Sequence, residues 1–467
     1  MLTLGIILCY LLGLSILLLI SRKYSLPELV GYSFLAGIGF ETVFMFLLDI
    51  IGIKYSPSVL IGVNVFAIVA ICGANYKSLL MLKDELKMPS ISLKDVNFVS
   101  VFIFSILAYL LYAVTVKNLF WPPTEHDTIG SFDKLGRVMA AEGVLKISLY
   151  QYDLQGAGGL YPPLFHASFA YVYIFGAETP KIVTTLFFIS LLTTFYSSVK
   201  NYVGSTAAML FTFVLMLSPE LFSHAALSLG NMPTTAYVCA GALATTTWLD
   251  KRDTKYFWLG AMMMAFVIWI RTDTVVFTAA ALLIVAIDFL KTKDWKKTLV
   301  YGTIVVTPFI LWSLYLKMKI GTSTGNKFDL GIGYNSERMD LMLGYVKVFL
   351  FGGQKGAIDG GQLYGLAFWI FFLMLLVNLI LIYKEGVKEI LKDKMNVLIF
   401  FFVSFAMYFT LFYLIDEKVQ MAPISSLMES SFKRGMFCFI PLALFYASTN
   451  KAATWFWGKV ENFRNGN

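Results

Sequence analysis

Charge is what this chain has least of. Only 14% of its 467 residues are Asp, Glu, Lys or Arg, where a soluble domain carries about 25%, and that shortage excludes an ordinary water-soluble globule. Cysteine is scarce and scattered: Cys9, Cys72, Cys239 and Cys438 fall far apart inside apolar runs, which reads as four small hydrophobes rather than a disulfide or metal set. No glycine-rich phosphate loop of the nucleotide-cradling kind is present. The net charge of +8 comes without a basic stripe or nucleic-acid motif, so nucleic acid is excluded as a partner.

What fills the chain instead is hydrocarbon, with 58% of residues hydrophobic. Apolar runs recur along nearly the whole length, each long enough or nearly so to cross a hydrocarbon core of ~30 Å as a helix. Backbone groups find no water there, so the spans must be helices. The expected fold is an all-α polytopic membrane protein with thirteen spans: 2–20, 28–52, 58–74, 97–117, 181–199, 205–219, 232–250, 257–270, 274–290, 298–316, 362–383, 396–415 and 434–449. The first run lacks a basic region before it and a small-residue cleavage site after it, so it reads as a retained span.

Basic residues cluster at "SRK" (21–23), in 77–94, at "KRDTK" (251–255), at "KTKDWKK" (291–297), at "KEGVKEILKDK" (384–394) and in the tail. Placed inside by the positive-inside rule, they put the amino terminus outside and the carboxy terminus in the cytoplasm of a cell membrane. The run "YPPLFHASFAYVYIFG" (161–176) must then lie along or dip into the outer interface, because a further span would invert every later loop. This leaves 118–180 and 317–361 as long outer segments, with shorter outer turns at 220–231, 271–273 and 416–433. Inside, the longest loop is 75–96, so no soluble domain sits in the cytoplasm and any chemistry belongs to the outer face.

The outer segments carry polar groups of a particular kind. Glu125, His126 and Asp127 follow within ten residues of the span 97–117. In "FDKLGRVMAAEG", Phe132, Leu135, Val138 and Met139 share one helical face and Asp133, Lys134 and Arg137 lie elsewhere, which suits a helix resting on the interface. "WIRTD" places Arg271 and Asp273 in a very short turn, and "SFKRGMFCFIP" places Lys433 and Arg434 at the mouth of the last span. Basic groups at that depth suit a phosphate at membrane level. Trp121, Tyr150, Tyr152 and Tyr161 are available to pack against sugar or lipid faces.

This order of features resembles the GT-C glycosyltransferases, the clan of the protein O-mannosyltransferases and the lipid A aminoarabinose transferase. It consists of an acidic residue soon after an entering span, an interfacial helix, "YPPL" opening an apolar helix, a short second outer turn, a basic residue in a third, and a late Arg before a span with Pro. The similarity covers roughly 97–450 and leaves 1–96 as three additional N-terminal helices. It implies a catalytic module over 97–320 that includes outer loop 118–180, and a C-terminal set of helices over 321–467 with the outer loop 317–361. It further implies transfer of a sugar from a polyprenyl-phosphate donor to a glycan, lipid or protein acceptor. The catalytic carboxylate maps onto Asp127, with Glu125 as second candidate, and substrate binding onto His126, Arg137, Tyr161, His166, Asn231, Arg271, Asp273, Lys433 and Arg434. Many relatives carry an acid where this chain has Asn231, which argues against a metal built from two outer turns; no particular cofactor is implied, and a divalent metal stays open.

Physics points the same way. An enzyme with no cytoplasmic site cannot draw on nucleotide sugars, so its activated sugar must arrive on a lipid phosphate, whose leaving charge cations stabilise. Two alternatives remain. A lipid-linked oligosaccharide ligase or polymerase would use loop 317–361, with Lys327, Arg338 and Lys355, for a larger donor. A secondary transporter is favoured by Glu41 alone, a carboxyl near the middle of the second span, expected to stay protonated or to pair with a polar group such as Asn64.

Overall fold

A computed structural model describes residues 1–76, 98–125, 127–146, 161–321, 328–329, 331–360, 363–385 and 393–464. His126, Tyr150, Tyr152 and Lys327 lie outside the described residues. The chain is almost wholly helical, with one two-stranded ribbon, Gln354–Lys355 against Ile358–Asp359. Among the described residues, eight helices are long and apolar enough to cross a membrane: Leu2–Ile20 (α1), Leu26–Ile50 (α2), Pro57–Ala74 (α3), Phe98–Phe120, Lys181–Lys200, Thr272–Thr292, Trp295–Ile320 and Met395–Tyr413. A multi-pass membrane protein follows from them. Of the other five expected spans, Ser205–Met216, Thr254–Ile270 and Phe439–Thr449 are short, Ala367–Glu385 ends in the charged pair Lys384 and Glu385, and Asn231–Lys251 is diluted with threonine, alanine and glycine.

That dilution has a packing reason. Every residue from Asn231 to Leu249 is buried, and small side chains let neighbouring helices come close, as membrane bundles favour. Gly241 lies against Met264, and Gly260 against Thr245. Buried threonine hydroxyls return to the helix's own carbonyls, as Thr235 does to Asn231 at 2.8 Å and Thr246 to Ala242 at 2.9 Å, or pair across helices, as Thr245 does with the Tyr301 hydroxyl at 2.7 Å, so they enter the core satisfied. Two glycines do the same for α1 and α2: a Cβ on Gly13 would overlap the Ser33 carbonyl, and one on Gly37 the Cys9 carbonyl.

One expectation is corrected. The helix Leu164–Ile174 does not lie on the lipid interface; all its residues from Leu164 to Val172 are buried, packed against the helix Asp133–Glu142, α2 and α1. Its sequence has no polar face to hold it at a water boundary, and a helix apolar all round goes inside. The amphipathic helix Asp133–Glu142 accordingly rests on protein, with Gly136 set against Phe169 and Leu135 and Met139 buried.

The segment that follows Phe98–Phe120 is fastened to the N-terminal helices. Asp49, at the end of α2, accepts the amides of Leu145 at 2.8 Å and Lys146 at 3.2 Å, and the Tyr315 hydroxyl at 2.6 Å. The Tyr55 amide donates to the Gly143 carbonyl at 2.9 Å, where Gly143 takes φ +69 to end its helix.

Charged groups gather at the two ends of the bundle. At one end Lys255 pairs with Glu28 at 3.0 Å, Arg252 with Asp288 at 2.5 Å and Lys394 with Asp250 at 2.8 Å. At the other stand Asp127, Arg271, Asp273 and Arg434. If these ends face opposite sides of a membrane, single cysteines on a Cys72→Ser background will report it. Met421 near the second end is 93% exposed, and Lys293 near the first is exposed; cysteines there are expected to react with an impermeant maleimide from opposite sides. Reaction of both from one side would overturn the spanning arrangement.

Candidate functional site

Four stretches distant in sequence meet at the Asp127 end. Asp127 opens a helical segment whose first turn, Thr128–Phe132, is π-helical, a distortion that concentrates at functional positions. The segment is pinned where the Thr128 hydroxyl donates to the Ser228 carbonyl at 2.9 Å. Asn118, at the end of the preceding helix, donates to Thr185 at 2.7 Å and to the Ala225 carbonyl at 2.8 Å. The approach to Asp127 is therefore tied to the 225–228 turn from two directions.

Arg434 comes from the other side and also follows a π-turn, Met428–Phe432. Its Nε donates to the Ser430 carbonyl at 3.2 Å, and its Nη1 to Asp127 Oδ2 at 2.9 Å. Gly435 is required at the next position, because a Cβ there would collide with the Tyr408 hydroxyl. The neighbouring carbonyl of Lys433 is held by the Tyr364 hydroxyl at 2.6 Å.

Arg271 and Asp273 occupy the turn after Thr254–Ile270, locked by the Thr274 hydroxyl, which bonds the carbonyls of Arg271 at 2.6 Å and Val267 at 2.8 Å. The Arg271–Asp273 pair is bidentate, at 3.0 and 2.6 Å, the fork geometry guanidinium is suited to. Arg271 also reaches Asn231 Oδ1 at 3.3 Å, and the Tyr161 ring lies 5.0 Å from its guanidinium carbon, within cation–π range.

Between these pairs lies a narrow cleft, lined among others by Asn231, Arg271, Asp273, Tyr408, Arg434 and Cys438. Two guanidinium and two carboxylate groups balance in charge, each pair partly exposed: 22% and 26% for Arg271 and Asp273, 23% and 38% for Arg434 and Asp127. Such a neutral, solvent-reached double pair can exchange a carboxylate for a phosphate on either arginine without leaving a buried charge alone.

The structure thus brings Asp127, Asn231, Tyr161, Arg271, Asp273 and Arg434 to one place, and leaves three expected binding residues elsewhere. Arg137 pairs with Asp133 at 2.9 Å and stacks on Tyr173 at 4.8 Å in a separate groove. His166 is fully buried, and among the described residues neither ring nitrogen has a hydrogen-bond partner. Lys433 binds Glu220 at 2.6 Å, beside His224, whose Nδ1 lies 2.9 Å from the Glu220 carbonyl. Burial lowers the His224 pKa to about 4, so that ring is neutral near pH 7. Glu125 takes the Thr124 hydroxyl on Oε1 at 3.1 Å, while Oε2 is buried with no hydrogen-bond partner among the described residues.

Tyr408 and Cys438 were missed as cleft residues. Cys438 had a signal, standing four residues after Arg434 and so on the same helical side, but its apolar surroundings read as core. Tyr408, inside an aromatic run, had none. Compared with models of known families, with curated proteins and with solved structures, the chain matches none.

Proposed function

We propose that this chain is an integral-membrane glycosyltransferase that moves a sugar from a polyprenyl-phosphate-linked donor to an acceptor at the outer face of the membrane, through thirteen spans with the amino terminus outside. One observation carries the reading: two arginine–carboxylate pairs, from three distant stretches, come together with both arginines lining one cleft, at the end away from the lysine-rich loops. In this reading Arg271 and Arg434 take the donor phosphate and meet the charge it gains on leaving. Asp127 is released from Arg434 when phosphate arrives and serves as general base toward the acceptor hydroxyl. Asn231, an amide rather than an acid, hydrogen-bonds a sugar hydroxyl.

The donor half of the reading is tested by binding of polyprenyl phosphate to the purified chain. Replacing Arg271 or Arg434 by alanine removes charge-assisted bonds worth about 1.5 to 3 kcal/mol, so affinity is expected to fall by roughly ten- to a hundredfold with the melting temperature held. Lysine restores little at Arg271, where the contact is a fork. Lys433→Ala, next in sequence but engaged with Glu220, is expected to change binding several-fold at most. Equal affinity in all three variants would leave the arginines as structural ion pairs and end the proposal.

A further inference from the structure

Glu41 sits mid-way along α2, and the cleft chemistry does not use it. It is fully buried, as is Asn64 on α3. The polar groups around it are the Asn64 amide, the Tyr171 hydroxyl from Leu164–Ile174 and the Cys9 thiol from α1. Tyr171 spends its one proton elsewhere, and Asn64 Nδ2 spends one of its two protons on its own helix. The Tyr171 hydroxyl donates to the Gly5 carbonyl at 2.8 Å, and Asn64 Nδ2 donates to the Leu60 carbonyl at 2.9 Å. Among the described residues, both Glu41 oxygens and Asn64 Oδ1 are left without a hydrogen-bond partner, and no Lys, Arg or His forms an ion pair with Glu41.

A bundle interior does not keep a bare carboxylate beside further unpaired oxygens, because the desolvation cost is far larger than any packing gain. What these oxygens lack in common is a positive centre. One carboxylate balances one positive charge, so a divalent ion would leave an excess at the middle of the bundle. Among the described residues no group of three or more His, Cys, Asp or Glu side chains stands ready for such an ion either. We infer that Glu41, Asn64 and Tyr171 form a binding site for one small monovalent cation, a proton or a sodium ion, held by oxygen alone. Its ligands come from α2, α3 and Leu164–Ile174, so occupancy joins the N-terminal helices to the helix that follows the first outer loop. The site stands whether or not the chain transfers sugar.

Infrared difference spectra of the full chain in lipid, with Glu41→Gln as reference, read the state of this carboxyl directly. Sodium occupancy is expected to give an ionised-carboxylate band that shifts when sodium chloride replaces potassium or choline chloride. Proton occupancy is expected to give a neutral-acid carbonyl band at neutral pH that ignores sodium and disappears only in alkali. Asn64→Leu removes one oxygen and is expected to move the midpoint of whichever titration is seen by about tenfold in cation concentration, one pH unit for protons. A carboxylate band indifferent to both sodium and pH, or a midpoint unmoved by Asn64→Leu, would overturn the site.

Discussion

Asp127→Asn is expected to give a stable, correctly inserted protein that still binds polyprenyl phosphate but moves radiolabelled sugar off a polyprenyl-phosphate donor about 10² to 10⁴ times more slowly, the usual cost of losing a positioned general base. The substitution is informative because of where the side chain sits. Asn keeps an oxygen for the 2.9 Å bond from Arg434 and leaves the Thr128–Ser228 tie untouched, so the loop has no reason to move. What disappears is the negative charge and the ability to take a proton. Loss of donor binding along with transfer would make Asp127 a scaffold for Arg434, and the two are separated by measuring both. Near-parental transfer by Asp127→Asn together with an inactive Glu125→Gln would move the base to Glu125. Near-parental transfer by both would remove this loop from the chemistry.

How much of this was legible in the sequence depended on the kind of signal. Short turns with clustered charges, "WIRTD" and "SFKRG", stood out because a charge near hydrocarbon is expensive and so rarely idle; Arg271, Asp273 and Arg434 from them line the cleft. Glu41 and Asn64 were matched as two polar groups in adjacent spans for the same reason, and they do face each other. Arg137 misled because spacing gives a helical face but not what the face meets: Asp133, four residues earlier, claims it locally. His166 misled because a short apolar helix was given to the lipid interface, when protein encloses it on every side. The partner of Lys433, Glu220, lies more than two hundred residues away, and no periodicity carries that distance. Local pattern fixes which end of a helix is polar; which of those ends touch is decided by packing.

Packing also sets the other large effect. Gly37→Ala is expected to disrupt the bundle, although it adds one methyl group and raises helix propensity. In an exposed helix that exchange stabilises by about 1 kcal/mol. At Gly37 the new Cβ would overlap the Cys9 carbonyl of α1, and at Gly13 the Ser33 carbonyl of α2, so backbone rather than a pliable side chain must give way. Separating α1 from α2 opens the contact over its length, including the buried Leu12, Leu17, Phe34 and Leu35. Overpacked cores lose about 1 to 3 kcal/mol or more, a large share of the 5 to 15 kcal/mol, or about that, which holds a typical fold. Gly62→Ala on α3 is the control, since nothing lies within 4 Å of a Cβ there. Thermal unfolding of the purified chain in lipid is expected to drop by several degrees for Gly37→Ala and Gly13→Ala and to hold or rise for Gly62→Ala. Because α2 carries Asp49 to the amides of Leu145 and Lys146, the Gly37 variant should also loosen the loop that presents Asp127, read as faster proteolysis of 118–180. A Gly37→Ala protein with parental melting and parental proteolysis would mean that α1 and α2 do not meet at these glycines.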